Sequence, residues 1–529
     1  MAERYRTTIF SRLKNERGAI LAVGYMVIAL FIMLGVAFLI TTFNEARFAT
    51  RQMRTTKTFY LAEAGVERAI YDLRKDFIDN DSPEYGGCTN GATPSWSDGC
   101  INGLNLPANS VSFYDVYGTT NLGAGSYTVE FLNTNSDEDI WIRAVATYGD
   151  LTQGILVYVK SVNFSPWNNA IFAGAGASGT MVNGNVDIRG SVHILGTGLT
   201  SSDLAINLGG TAELVGNNYN GMEAGLEAKL PAIPTTVYNG ETVETLNAEL
   251  RVKNGQVALS GSSSVGESDI TGNSVKETVD AAYVTDGYSG SNGSSHVYSD
   301  NGTTEAYDLG DSMAFPSLSD PAPSDSSITY QQYLRNNALV ISDPSALSQL
   351  ANISPNSSFT YSDAKGTISM DGSGNMTVDG IVYIEGGDLN MAKAGPDKTI
   401  TYTGEGSILV TGNAQIDVSL VTDDYIVSGT QQPSFPTRGG VKNIIGIMTP
   451  NNISFTEAQT NVMGLFYAEN SVIVQKQTDI TGTIVSNYFD MGTNVPAIYQ
   501  VPETANYLPA GMIGGDSTWY LDIISWQKI

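Results

Sequence analysis

Side chains that could carry covalent or acid–base chemistry are few in this sequence of 529 residues, which holds two histidines, His193 and His296, and two cysteines, Cys88 and Cys100. A serine or thiol nucleophile would have to recruit one of those histidines as its base. His193 lies in the strand-like stretch Val192-His193-Ile194, where a structural histidine is the commoner explanation, and His296 lies in a Ser/Gly-rich stretch. No G-x-S-x-G elbow, H-E-x-x-H pair or P-loop is present. The chain carries 54 Asp and Glu. Glycoside hydrolysis needs two of them across one cleft, and no pair stands out by motif. The densest acidic patches, Asp371-Gly-Ser-Gly-Asn375 and Asp423-Asp424, lack the ligand spacing of an EF-hand loop. The expectation is therefore a non-enzymatic chain with no catalytic residues, no cofactor and no metal site, calcium being the one ion the acidic surface leaves open.

The elements that would position any chemistry begin with Ala19 to Phe43, an unbroken run without a charge. At about 1.5 Å per residue it is long enough to cross a hydrocarbon core of about 30 Å. Arg4, Arg6, Arg12, Lys14 and Arg17 precede it against Glu3 and Glu16, a bias that keeps this side cytoplasmic. No small-residue cleavage pattern follows, unlike an ordinary secretory signal. The expected topology is a single-pass membrane protein with its N-terminus cytoplasmic and its bulk extracytoplasmic. Export in turn favours a disulfide between Cys88 and Cys100, which sit in one Gly/Asn/Ser/Asp-rich loop. With only two histidines, both remote, a metal site at these cysteines is not expected.

From Asn44 to Phe77 there is no proline, and Phe59, Ala62, Val66, Ala69, Ile70, Leu73 and Phe77 recur at helical spacing. Arg68, Asp72, Lys75 and Asp76 are assigned to the opposite face. One continuous helix is expected, apolar all round in its first half and amphipathic in its second.

Glu16-Arg17-Gly18-Ala19-Ile20-Leu21-Ala22, the apolar run, and Phe59-Tyr60-Leu61-Ala62-Glu63-Ala64-Gly65-Val66-Glu67 follow one another in the order found in PilX-type minor pilins. The leader and the long helical pattern together resemble the N-terminal segment of that type IV pilus family. The resemblance implies cleavage by a prepilin peptidase between Gly18 and Ala19, methylation of the new N-terminus, and assembly with other pilin or pseudopilin subunits. Ala19 and Val23 stand where major pilins usually carry Phe and Glu. The missing carboxylate fits a tip or accessory subunit better than a repeated shaft subunit.

Residues 79–529 hold 15 Lys and Arg against 47 Asp and Glu, a net charge of −32. Such a surface repels nucleic acid. Within it, residues 79–165 read as a small antiparallel β domain, with strands at 126–132, 140–147 and 154–162. From 166 to 529 short β-branched runs alternate with Gly, Ser, Thr and Asn. Gly446, Gly464 and Gly482 recur at an even spacing. Met448, Phe466 and Ile484 align behind them, as do Asn451, Glu469 and Asn487, and Val462, Ile480 and Ile498. A period near twenty with β composition predicts a parallel β-helix, or solenoid. Residues 222–345 read as an irregular insertion containing a short helix at 330–338. The apolar end, Trp519 to Trp526, reads as a strand closing the solenoid.

The expected fold is thus mainly β with one long N-terminal helix: leader 1–18, helix 19–78, small β domain 79–165, solenoid head 166–529. The expected role is non-catalytic. The helix inserts in the inner membrane and then in a type IV pilus-like assembly, and the head is displayed at the cell surface for adhesion or tip assembly. Two alternatives stay open: a signal-anchored surface β-helix outside any pilus, and a tethered enzyme acting on polysaccharide.

Overall fold

The computed structural model describes residues 3–78, 106, 110–115, 117–135, 139–177, 182, 184–302, 314–322, 325–396, 398–491, 496–514 and 518–529. The chain divides into two units, Met1–Asn163 with Trp519–Ile529, and Phe164–Thr518.

The first unit is built on the helix Glu3–Ile78, 76 residues without interruption. Residues 3–18 are helical too, so the helix extends further toward the N-terminus than the hydropathy pattern alone indicates. Threonines along it spend their hydroxyls on the carbonyl one turn back, as Thr41 does on Ala37 and Thr42 on Phe38. That local bond lets a polar side chain end an apolar run without needing water. The antiparallel sheet beside the helix is ordered Tyr114–Asp115, Gly125–Asn135, Asp139–Tyr148, Leu151–Phe164, Thr518–Lys528. Its register sets Val129 beside Ala144 and Ile155, and Phe131 beside Ile142 and Val157, all fully covered. The strict alternation of buried residues comes from the two-residue period of a strand with one face on a core.

The last strand belongs to this small sheet and does not close the solenoid. Gly154 and Ile529 exchange two backbone hydrogen bonds, of 3.1 and 2.9 Å. The alternation of Trp519 to Trp526 describes a half-buried strand equally well in either place, and only long-range pairing decides between them.

The second unit is a parallel β-helix. One buried column runs through Leu339, Val382, Ile408, Ile447, Phe466, Ile484, Ile171, Val192, Leu250 and Ala282, each the register partner of the next. A second runs through Ile400, Leu420, Val462, Ile480, Ile498, Ile188, Leu214 and Val265. A third passes through Leu389, Ala414, Ile453, Val472 and Phe489. The chain enters this stack in its middle, at Ile171, and winds outward to about residue 284. It re-enters at the far end at Leu339 and winds back until the strand Thr478–Asp490 pairs with Ile171–Ala177.

One column of the repeating pattern aligns in full, Val462 with Ile480 and Ile498, and in the glycine column Gly464 pairs with Gly482. The Gly446 coil is one residue out of step. Gly446 pairs with Leu465, so Ile447 rather than Met448 stands against Phe466. A β-carbon on Gly482 would run into the Gly464 carbonyl oxygen, and one on Gly464 would lie 3.1 Å from the Ile445 carbonyl oxygen. Within 222–345, the strands Glu249–Val252, Ser264–Val265 and Ala281–Val284 are rungs of the stack. The helix Tyr330–Asn337 starts at a Thr329–Gln332 capping box.

Candidate functional site

The apolar half of the helix has no cover. From Ile20 to Phe43 every side chain is exposed, Ile20 and Phe38 each at 71%. Mean hydropathy reaches 2.7 in this part, and the stretch is long and apolar enough to cross a membrane. So large an apolar surface has to meet lipid or other protein.

The second half is covered by the small sheet. Ala62, Val66, Ala69, Ile70 and Leu73 are buried against it, with Phe59 half-buried. Leu61 joins them at the edge of the face. Phe77, Lys75 and Asp76 have side chains outside the described residues. Asp72, assigned by pattern to the solvent face, is buried and paired with Arg68 at 3.7 Å. Arg68 also lies over the Tyr117 ring, 4.4 Å from its centre, and donates to Thr120 Oγ1 at 3.2 Å. Where helix and sheet come closest stands Gly65: a β-carbon there would lie 2.9 Å from Tyr127 Cδ2 and 3.4 Å from Ala144 Cβ. The face from Leu61 to Leu73 is therefore the contact surface between helix and sheet, closest at Gly65. Its small residues set the distance.

The Gly18–Ala19 bond lies within the helix Glu3–Ile78. Their side-chain environment, and the loop with Cys88 and Cys100, lie outside the described residues.

The remaining chemistry-bearing residues are placed as follows. His193 is buried on a stacked strand, its ring 5.2 Å from that of Phe172. Burial first, then Arg251 and Lys253, push its pKa down to about 3, so it is neutral and structural. His296 lies near the Ser263 carbonyl, with 3.2 Å between Nδ1 and the oxygen. Asp371 closes a hairpin turn, accepting from Ser373 N, Asn375 N and Asn375 Nδ2 at 2.7, 3.1 and 2.7 Å. Asp424 pairs with Lys229 at 2.6 Å and Asp423 with Arg438. Both acidic patches are thus committed within the chain. Among the described residues no three His, Cys, Asp or Glu are grouped to hold a metal ion.

The structure does assemble one charged cluster that no motif announces. Arg189 meets Asp187 at 2.7 Å, Glu213 at 3.2 Å and Glu267 at 3.4 Å, and donates to Asn218 at 3.1 Å. Asp187 and Glu213 are register partners on adjacent strands. Burial, with Asp187 and Glu267 adding to it, outweighs Arg189 and pushes Glu213 up to about 9. Burial likewise raises Asp187. One guanidinium cannot balance three carboxylates away from water, so a proton stays on the most enclosed of them. A carboxylate pair on one solenoid face is what a glycosidase would need. Here both carboxylates turn onto the arginine, whose side chain is only 6% exposed, and the cluster is an internal ion network.

No family model matches the chain, and no curated protein does. Among solved structures it is similar to the competence-associated pilin ComZ from Thermus thermophilus, at 17% identity and a TM-score of 0.46, over 90% of this chain and 97% of that one. A likeness this loose decides neither family nor activity.

Sequence reasoning located the long apolar helix and its packed face, because periodicity along one helix is local. It missed the Arg189 cluster, whose carboxylates come from residues 187, 213 and 267. The one available signal was a charged Asp-Ile-Arg triplet inside a β-rich stretch.

Proposed function

We propose that this chain is a non-catalytic, pilin-like subunit. Its helix anchors it in the inner membrane and then packs in a type IV pilus-like filament, while the β-helix is the displayed head. The observation that carries this reading is the division of labour along a single helix. One continuous rod has an uncovered apolar first half and a second half seated on a small antiparallel sheet through Ala62 and Gly65. Such a rod ties a lipid- or subunit-facing segment to the sheet without a hinge.

In this reading the prepilin peptidase cuts between Gly18 and Ala19, Ala19 is methylated, and Cys88 and Cys100 form a disulfide outside the cytoplasm. The partners are the membrane, the peptidase, other pilin or pseudopilin subunits and, at the head, a surface polysaccharide. Nucleic acid is disfavoured by the acidic head. Val23 at the fifth mature position, where major pilins carry Glu, favours an accessory subunit. It also supports the second reading, a signal-anchored β-helix that never enters a filament.

The mature N-terminus separates the two. The chain is expressed in its host with and without prepilin peptidase, and the N-terminal peptide is read by mass spectrometry. A methylated Ala19 start that disappears without the peptidase supports the pilin-like role. An uncut leader in both strains leaves the static anchor.

A further inference from the structure

We propose that the helical turns directly beyond the apolar run, with the turn at Asp150 and Leu151, form a binding site for the phosphate headgroup of an anionic membrane phospholipid. The proposal rests on the reading of Ile20 to Phe43 as a membrane span.

Phe43, Arg47, Arg51, Arg54, Asp150 and Leu151 line an open cleft of about 570 Å³. Arg47, Arg51 and Arg54 are spaced four and three apart, so they share one helix face. All three are exposed. Arg54 spends its charge on Asp150 at 3.3 Å. Among the described residues no carboxylate pairs with Arg47 or Arg51. The cleft therefore holds two unspent guanidinium charges.

Its height relative to the bilayer names the occupant. The apolar run ends at Phe43, and at about 1.5 Å per residue Arg47 and Arg51 follow about 6 and 12 Å further along the axis. The headgroup layer extends about 5–7 Å beyond the hydrocarbon on each side. Long side chains on a helix lean toward its N-terminus, which here is toward the bilayer. Both guanidiniums accordingly reach back into the phosphate layer, while Phe43 offers an apolar floor for the glycerol and upper acyl carbons. A guanidinium fork matches two phosphate oxygens, and a membrane-anchored helix meets that phosphate at very high local concentration.

The test uses the full chain in nanodiscs of phosphatidylcholine with one-tenth phosphatidylglycerol. Native mass spectrometry then counts the lipids retained as the bilayer is stripped away. The wild type is expected to retain phosphatidylglycerol well above its share. Arg47→Gln and Arg51→Gln are each expected to cut that enrichment about fivefold, and Lys160→Gln, on the small sheet, to leave it unchanged. Equal retention by the wild type and both arginine variants overturns the site, as does absence of any preference in the wild type. Flotation with vesicles of phosphatidylcholine alone separates the two ideas. A chain that floats without headgroup preference loses only this site, and a chain that does not float loses the membrane span and the site together.

Discussion

Gly65 faces the ring of Tyr127 so closely that a β-carbon would lie 2.9 Å from its Cδ2. Glycine in a helix interior costs about 1 kcal/mol relative to alanine, so close approach is the compensating gain. Alanine would recover helix propensity and lose it again in the contact, leaving stability within about 1 kcal/mol of the wild type. Valine adds two more carbons against Tyr127 and Val129, and Gly65→Val is expected to destabilise the anchor-bearing unit by about 2–3 kcal/mol. Hydrogen exchange of the amides in Asp139–Tyr148 measures this. Unchanged protection in the valine variant would show that the helix is not seated through Gly65.

Glu213 makes the stability of the β-helix depend on pH. Its folded pKa is raised to about 9, chiefly by burial, above the unfolded value of about 4.3. The folded state therefore holds a proton that the unfolded state releases. The associated stability is complete below about pH 4 and is lost as pH climbs toward 9. Asp187, also raised, acts in the same direction. The thermal midpoint of the β-helix should fall between pH 5 and 9, and Glu213→Gln should flatten that slope. Calorimetry across the range checks it, and a slope identical in the variant would place the proton elsewhere.

How much of this was legible in the sequence depended on the range of the pattern. The helix declares itself within any few turns, and Ala62, Val66 and Ile70 fell on the buried face as their spacing dictated. The β-helix was visible where its coils are regular, at Val462, Ile480 and Ile498. It was invisible in Ser264–Val265 and Ala281–Val284, because such short strands among Gly and Ser carry no period of their own. The mid-stack entry at Ile171 and the return of Trp519 to Trp526 to the small sheet are long-range pairings, to which alternation within a strand is blind. The Arg189 network had the same obstacle, its charges lying on three separate coils.

The seam between the two halves of the β-helix pairs segments from opposite ends of that unit's sequence, Ile484 against Ile171. Both are fully buried and have stacked neighbours on either side, Phe466 and Val192. Ile484→Ala should cost about 2–5 kcal/mol through lost burial and the cavity left behind. Closing a loop this long is entropically expensive, so the loss should speed separation of the halves before either one melts. Limited proteolysis should release the two halves of the β-helix, 171–284 and 339–490, as separate fragments in the variant. Ile408→Ala, inside one half, should cost a similar amount without that cleavage pattern. Identical digests from the two variants would show that the β-helix melts as one unit.

The strand Thr518–Lys528 covers what would otherwise be an open edge of the small sheet. Leu151–Phe164 is a long strand rich in β-branched residues, and Gly154 gives and takes hydrogen bonds with Ile529 across that edge. A long exposed edge of this kind recruits another strand. Removing residues 519–529 leaves the buried face of the sheet, Ile155, Val157 and Val159, still covered by the helix, so the unit should remain folded. What changes is association: the truncated chain should form dimers or larger species in detergent at concentrations where the full chain sediments as one subunit. Adding Gly154→Pro, which removes the N–H that bonds Ile529 and blocks edge pairing, should restore the single species. Sedimentation velocity of the three proteins decides the matter. A truncated chain that stays a single subunit would mean the edge is protected by its own twist and not by the returning strand.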